Sequence, residues 1–222
     1  MAIKTLFFDA AGTLVHLAEP PGATYARIAA RHGLETEAEA MNRAFRAAWK
    51  SSPAPVHPEG QAPEDDDRGW WRALVAKSFA AALGRPLAEA ELGPLFEELY
   101  ASFAQPSAWR VHEDVLPVLQ AVQGRCRLFV LSNFDKRLRT ILAGHGLDPW
   151  FEGMIISSEV GASKPHPRIF QAALRMAGAR PEECLHVGDD ARADVEGATA
   201  AGMQAYLVER PAQGLEGVVT RI

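Results

Sequence analysis

The stretch Lys4-Thr5-Leu6-Phe7-Phe8-Asp9-Ala10-Ala11-Gly12-Thr13-Leu14-Val15 decides how the rest of the chain is read. From Thr5 to Phe8 the residues are β-branched, aliphatic or aromatic with no polar face, which is the pattern of a strand buried on both sides of a parallel sheet. The run ends on Asp9, at the carboxyl edge where open α/β sheets place their ligands, and Gly12 with Thr13 supplies a tight, amide-rich turn suited to an anion. Asp9 is therefore a candidate nucleophile. The apolar run Leu128-Phe129-Val130-Leu131 ends on Ser132 and Asn133, and Lys164 stands before a helix in Ser163-Lys164-Pro165-His166-Pro167. Further on, Leu185-His186-Val187-Gly188-Asp189-Asp190 ends a strand on carboxylates.

These four sites, in this order, resemble the motifs of the haloacid dehalogenase-like hydrolase superfamily: a nucleophilic Asp, a Ser or Thr, a Lys and an acidic pair. Gly22-Ala23-Thr24-Tyr25-Ala26, Trp70-Trp71 and Ser132-Asn133-Phe134-Asp135 carry the resemblance into one branch of it. The resemblance implies an α/β fold, a doubly wound parallel-sheet (Rossmann-like) core with an inserted α-helical cap, and a central first strand that brings Asp9, Ser132 and Asp189 together. It implies catalysis by Asp9, Ser132, Lys164 and Asp194, and substrate binding by Gly12, Thr13, Ser132, Asn133 and Lys164. Carboxylates gathered at one sheet edge repel each other, and a hard divalent cation relieves that repulsion; oxygen ligands favour Mg²⁺. By resemblance the Mg²⁺ ligands map to Asp9, the backbone carbonyl of Ala11 and Asp189, with Asp190 beside them. Asp190 also reads as an N-cap of the following helix, and Asp194 as a group that orients Lys164 or a metal-bound water.

The remaining sequence is consistent with such an enzyme. A chain of 222 residues with 48% hydrophobic content can bury a core, and a net charge of -5 with a pI near 5.8 offers no global basic field for nucleic acid or anionic membrane. The apolar N-terminal run is far shorter than the ~20 residues of a membrane span. A cytoplasmic protein acting on a small phosphorylated or other anionic substrate is expected, with the oligomeric state open. Cys126 and Cys184 each precede an apolar strand and form no metal-binding pair, so core thiols are expected. After Val15 the pattern turns helical, with segments at 23–31, 37–50, about 70–83 and 88–103 and a Pro- and Asp-rich loop at 51–69. Residues 16–104 thus read as the cap, and 1–15 with 105–222 as the core, with hinges near 16–21 and 104–109. One acid of Asp65-Asp66-Asp67 is expected to cap the helix that follows. Helices at 113–122, 136–144, 167–177 and 191–201 then alternate with strands at 127–131, 154–157, 184–187 and 204–208.

One position departs from the superfamily pattern. Most of its phosphatases carry an acid two residues after the nucleophile, which protonates the leaving group and then activates water, and Ala11 can do neither. Loss of such a group costs about 10²- to 10⁴-fold. The readings that remain open are a Mg²⁺-dependent phosphatase with an easy leaving group or a substitute acid, a 2-haloacid dehalogenase, a phosphonoacetaldehyde hydrolase-like enzyme, and a weak phosphate-binding protein. The third requires a Schiff-base lysine, for which Lys50 stands at the right distance along the chain from Asp9; Lys50 equally describes a solvated helix end.

Overall fold

A computed structural model describes residues 2–58 and 61–222, so Glu59 and Gly60 of the expected 51–69 loop lie outside the described residues. The chain divides into two compact units: Met1–His16, Pro55–Asp66 and Arg110–Ile222 form one, and Leu17–Ala54 with Asp67–Trp109 forms the other.

In chain order the elements are β1 (Thr5–Phe8), β2 (Val15–Leu17), α1 (Pro21–Arg31), α2 (Ala38–Lys50), α3 (Arg68–Leu83), α4 (Glu89–Ser102) and β3 (Trp109–Val111). They continue with α5 (Val115–Val122), β4 (Arg127–Ser132), α6 (Arg137–Gly144), β5 (Gly153–Ile156), α7 (Ser157–Val160), α8 (Pro167–Ala177) and β6 (Cys184–Gly188). A π-helical turn (Ala191–Glu196), α9 (Gly197–Ala200) and β7 (Gln204–Leu207) follow. The sheet of the first unit is parallel in the order β5-β4-β1-β6-β7, with Phe7 level with Phe129 on one side and His186 on the other. The central place of β1 explains its apolar composition, since all four of its residues are buried. Strand alternation sends Phe7 to one face, where it stacks on Phe129 at 5.4 Å and packs with Ile169, Phe170 and Ala198. Phe8 points to the other face and meets Phe151 edge-on at 6.2 Å. Fully burying such side chains stabilises by about 1.5–3 kcal/mol each before the entropy of ordering them. Both cysteines are free thiols, Cys184 buried and Cys126 half-buried.

The helical unit has its own core of Tyr25, Ile28, Met41, Phe79, Phe96 and Leu99. Met41, Ala44 and Ala48 fall on one face of α2, as the 3.6-residue period requires. Trp71 packs against this core, while Trp70 donates its indole N–H to the Pro53 carbonyl at 3.0 Å.

Three features differ from the sequence reading. First, β2 and β3 form a separate two-stranded ribbon in a region read as having no strands; three residues each are too few to show alternation. Second, Pro55–Asp66, assigned by pattern to the helical insert, belongs to the sheet unit. Ser163 N–H donates to Pro55 O at 3.1 Å, His57 N–H to Gly161 O at 2.9 Å, and Val56 bridges Ala162 in antiparallel fashion. Third, Asp67 stands at the N-cap of α3 without a side-chain cap bond; with a left-handed backbone (φ 60) it lacks the extended geometry that aims an N-cap carboxylate at the first turn.

Candidate active site

Ser132 ends β4, and Asp9 and Asp189 directly follow β1 and β6; the three strands are adjacent, so the sheet itself gathers these residues. Asp9 is buried at 7% exposure, and its backbone N–H is fixed on Val187 O at 2.8 Å. Lys164, 2% exposed, places its ammonium 2.8 Å from Asp9 Oδ1, 2.6 Å from Asp194 Oδ1 and 2.9 Å from the Leu131 carbonyl. Its three donors are thus all satisfied.

Asp194 is held from every side. Oδ1 also meets His186 Nε2 at 2.8 Å, and Oδ2 accepts the Asp190 N–H at 3.0 Å. The π-helical turn makes this possible by folding Asp194 back toward the end of β6, where Gly188 leaves room: a Cβ there would stand 2.2 Å from Asp194 Cγ. Burial would raise the Asp194 carboxyl, but Lys164 and His186 hold it well below the usual carboxylate range. For Asp9 burial prevails over Lys164, and with Asp194 and Asp189 nearby its carboxyl is raised. Asp189 is raised as well, first by partial loss of water and then by Asp194. One oxygen from each of Asp9, Asp189 and Asp194 lies within 4.8 Å of the others. Three carboxylates therefore face one ammonium, the electrostatics of a site that attracts a cation.

The turn after Asp9 serves this cluster. Gly12 has φ +96, open to glycine at little cost, and a Cβ on it would fall 2.3 Å from Asp189 Oδ2. Thr13 is fully buried; its hydroxyl donates to Asp189 Oδ1 at 3.0 Å and its carbonyl accepts from Arg210 at 3.1 Å, so it orients Asp189. Asn133 grips the Lys164 backbone twice, accepting its N–H at 2.6 Å and donating to its carbonyl at 3.0 Å. The Ser132 hydroxyl is buried with no partner in the described chain. Ala11 presents only a methyl group.

Among the expected metal ligands, Asp190 takes the N-cap role also read for it: its Oδ1 accepts from Arg192 N at 2.8 Å and Ala193 N at 2.7 Å, and the cluster of neighbouring carboxylates is Asp9, Asp189 and Asp194. His166, by contrast, simply caps α8, accepting from Arg168 N at 3.2 Å. His186 is a buried, packed histidine in β6, edge-on to Phe170 at 5.9 Å, and its partner Asp194 is the part that strand alternation does not signal, because the π-helical turn brings that carboxylate to it.

No helix among the described residues is long and apolar enough to cross a membrane. The family model for haloacid dehalogenase-like hydrolases matches residues 3–202. Human haloacid dehalogenase-like hydrolase domain-containing protein 3 is 39% identical over 220 residues, spanning 99% of this chain and 86% of the relative. A phosphoserine phosphatase of Thermus thermophilus is 47% identical over 72 residues, 32% of this chain and 29% of that protein. In structure, the putative hydrolase YfnB of Bacillus subtilis superposes with a TM-score of 0.73 at 18% identity, covering 99% of this chain and 98% of that one. The nearly full-length match, the branch shared with the human relative and the gathering of Asp9, Lys164, Asp189 and Asp194 at one sheet edge agree: the chain belongs to the haloacid dehalogenase-like hydrolase family.

Proposed function

We propose that the chain is a Mg²⁺-dependent phosphohydrolase that works through an aspartyl-phosphate on Asp9 and favours substrates whose leaving group departs without a proton. The observation that carries this reading is the Asp189 carboxylate, oriented by Thr13 toward the Asp9 cluster. In a metal-free dehalogenase that charge would repel an anionic substrate. The residues present fit a hard cation. Both oxygens of Asp194 are engaged by Lys164, His186 and Asp190 N, which leaves Asp9 and Asp189, with the Ala11 carbonyl, to hold Mg²⁺. Bound there, Mg²⁺ would neutralise the carboxylates and the phosphoryl oxygens.

Within this frame each residue has a task. Asp9 attacks phosphorus, the phosphorus–oxygen bond to the leaving group breaks, and the leaving group keeps the electron pair. Lys164 offsets part of the cost of ionising the buried Asp9 and stabilises charge on the transferring oxygens, and the Ser132 hydroxyl donates to one of them. Water then attacks the phosphorus of the aspartyl-phosphate, the bond to Asp9 breaks, and the water's proton leaves on inorganic phosphate. Asp194 orients Lys164. The helical unit, Leu17–Ala54 with Asp67–Trp109, is the substrate-selecting cap in this reading, in place of the unbroken insert 16–104 between 1–15 and 105–222 that the sequence pattern suggests. The phosphatase relative supports a small phosphorylated substrate.

Ala11 also favours a second reading, 2-haloacid dehalogenation, because halide needs no proton. Both are tested by hydrolysis of acetyl phosphate and p-nitrophenyl phosphate with and without Mg²⁺, and by halide release from 2-chloropropionate. Mg²⁺-dependent phosphate release that Asp9→Asn abolishes and Ala11→Asp raises by about 10²-fold or more is the expected result. Metal-independent halide release with no phosphate release would overturn it in favour of the second reading.

A further inference from the structure

The loop that carries Lys164 is itself held by Pro55–Asp66, and the acid that anchors this segment is Asp66. Its Oδ1 accepts the Ser158 hydroxyl at 2.6 Å and its Oδ2 accepts the Lys136 N–H at 3.0 Å. Ser158 lies in α7, which runs into Gly161 and on to Lys164, and Lys136 lies three residues beyond Asn133, whose amide fixes the Lys164 backbone on both sides. At the other end of the segment, Pro55 O accepts Ser163 N–H at 3.1 Å and His57 N–H donates to Gly161 O at 2.9 Å. Arg168 Nη1 clamps this crossing, donating to His57 O at 2.8 Å and Gly161 O at 3.3 Å. Asp66 adopts φ 56, a left-handed conformation that non-glycine residues rarely take and that Asp and Asn tolerate best.

We infer that Asp66 is a positioning residue, which sets Lys164 against Asp9 by tying the 133–136 and 158–164 loops together. The inference rests on the role given to Lys164 above. Asp66 acts at a distance: it touches neither Asp9 nor Lys164, and its carboxylate joins the two loops whose contact, Asn133 with the Lys164 backbone, fixes where the ammonium starts from. A side chain that bonds a hydroxyl on one loop and an amide on the other holds both loops at once, and both bonds are lost together when it is removed.

The test uses the full chain with Asp66→Gly and Asp66→Asn. Glycine accepts the left-handed backbone and removes only the carboxylate. Asparagine keeps the backbone and can still accept from Lys136 N–H while donating to the Ser158 hydroxyl oxygen. Amide hydrogen exchange at Ser163 and Lys164 is followed together with acetyl phosphate turnover in Mg²⁺. In Asp66→Gly, exchange at these two amides rises about tenfold and kcat falls about tenfold, with KM within about twofold of native, and Asp66→Asn restores both. Native exchange at Ser163 and Lys164 in Asp66→Gly would overturn the inference. So would an acceleration spread equally over β6 and β7, which would assign Asp66 to stability alone, or faster exchange with unchanged kcat. Should the native chain turn over no phosphate, the hydrolase reading falls, and the exchange at the two amides still decides whether Asp66 holds this loop.

Discussion

Replacing Lys164 by Met keeps an unbranched side chain one atom shorter and deletes its charge. The ammonium now donates to Asp9 Oδ1, Asp194 Oδ1 and the Leu131 carbonyl, at 2.8, 2.6 and 2.9 Å, from a position only 2% exposed. Its loss leaves two buried carboxylates facing each other without the cation between them. Breaking a buried ion pair from one side costs about 3–5 kcal/mol. At about 2–4 °C per kcal/mol for a chain of this size, the midpoint of thermal unfolding drops by about 6–20 °C. The companion variant is Asp194→Asn. In the native background it removes the partner of Lys164 and His186 and is destabilising, whereas in the Lys164→Met background it removes one of two repelling charges. The two substitutions should therefore be non-additive by about 1–3 kcal/mol, with the double variant more stable than the sum of the single effects implies. Urea unfolding of the four proteins in metal-free buffer measures this. A Lys164→Met variant within about 1 kcal/mol of native, or strictly additive effects, would refute the claim that the Asp9–Lys164–Asp194 contacts act as one unit.

Two further outcomes follow from the geometry. Gly188→Ala puts a Cβ 2.2 Å from Asp194 Cγ, so Asp194 must leave Lys164; kcat should fall at least about tenfold and stability by about 1–3 kcal/mol, and an unchanged kcat would show that Asp194 has no part in holding Lys164. The His112 ring lies against that of His16, centroids 4.5 Å apart and planes tilted by 37°, and burial, with Arg210 and His16 adding, pushes the His112 pKa down to about 4. The folded chain then binds fewer protons than the unfolded chain between pH 4 and 6.5, so the stability present above pH 6.5 is lost as pH falls through that window. Because the ring keeps contact with solvent, the loss is about 1–2 kcal/mol. Unfolding free energies from urea titrations at pH 7 and 4.5 should differ by that much more for the native chain than for His112→Asn, and equal differences would contradict it.

Much of this arrangement is legible in the sequence because the sheet converts chain order into space. A buried strand ending in Asp9, a second ending in Ser132 and a third ending before Asp189 meet at one edge once the order β4-β1-β6 is given, and that order came from resemblance to the family. What was not legible depends on local backbone that no hydrophobic period encodes. The π-helical turn reads as an ordinary helix at 191–201, yet it decides that Asp194 faces His186. Thr13 and Asn133 enter as substrate contacts by resemblance alone; the bonds of the Thr13 hydroxyl to Asp189 and of the Asn133 amide to the Lys164 backbone have no signal in the sequence. The placement of 55–66 was invisible for a similar reason, since a Pro- and Asp-rich segment signals a loop and says nothing about which unit it joins.

That placement has a consequence for modularity. The chain passes between the two units four times, at 16/17, 54/55, 66/67 and 109/110. A simple insert would need only two junctions, and could be excised or exchanged for that of a relative with one cut at each end. Here a transplant that exchanges everything between residues 16 and 110 also replaces a part of the recipient's own sheet unit. A faithful exchange keeps Pro55–Asp66 native and grafts Leu17–Ala54 and Asp67–Trp109 around it as two separate pieces.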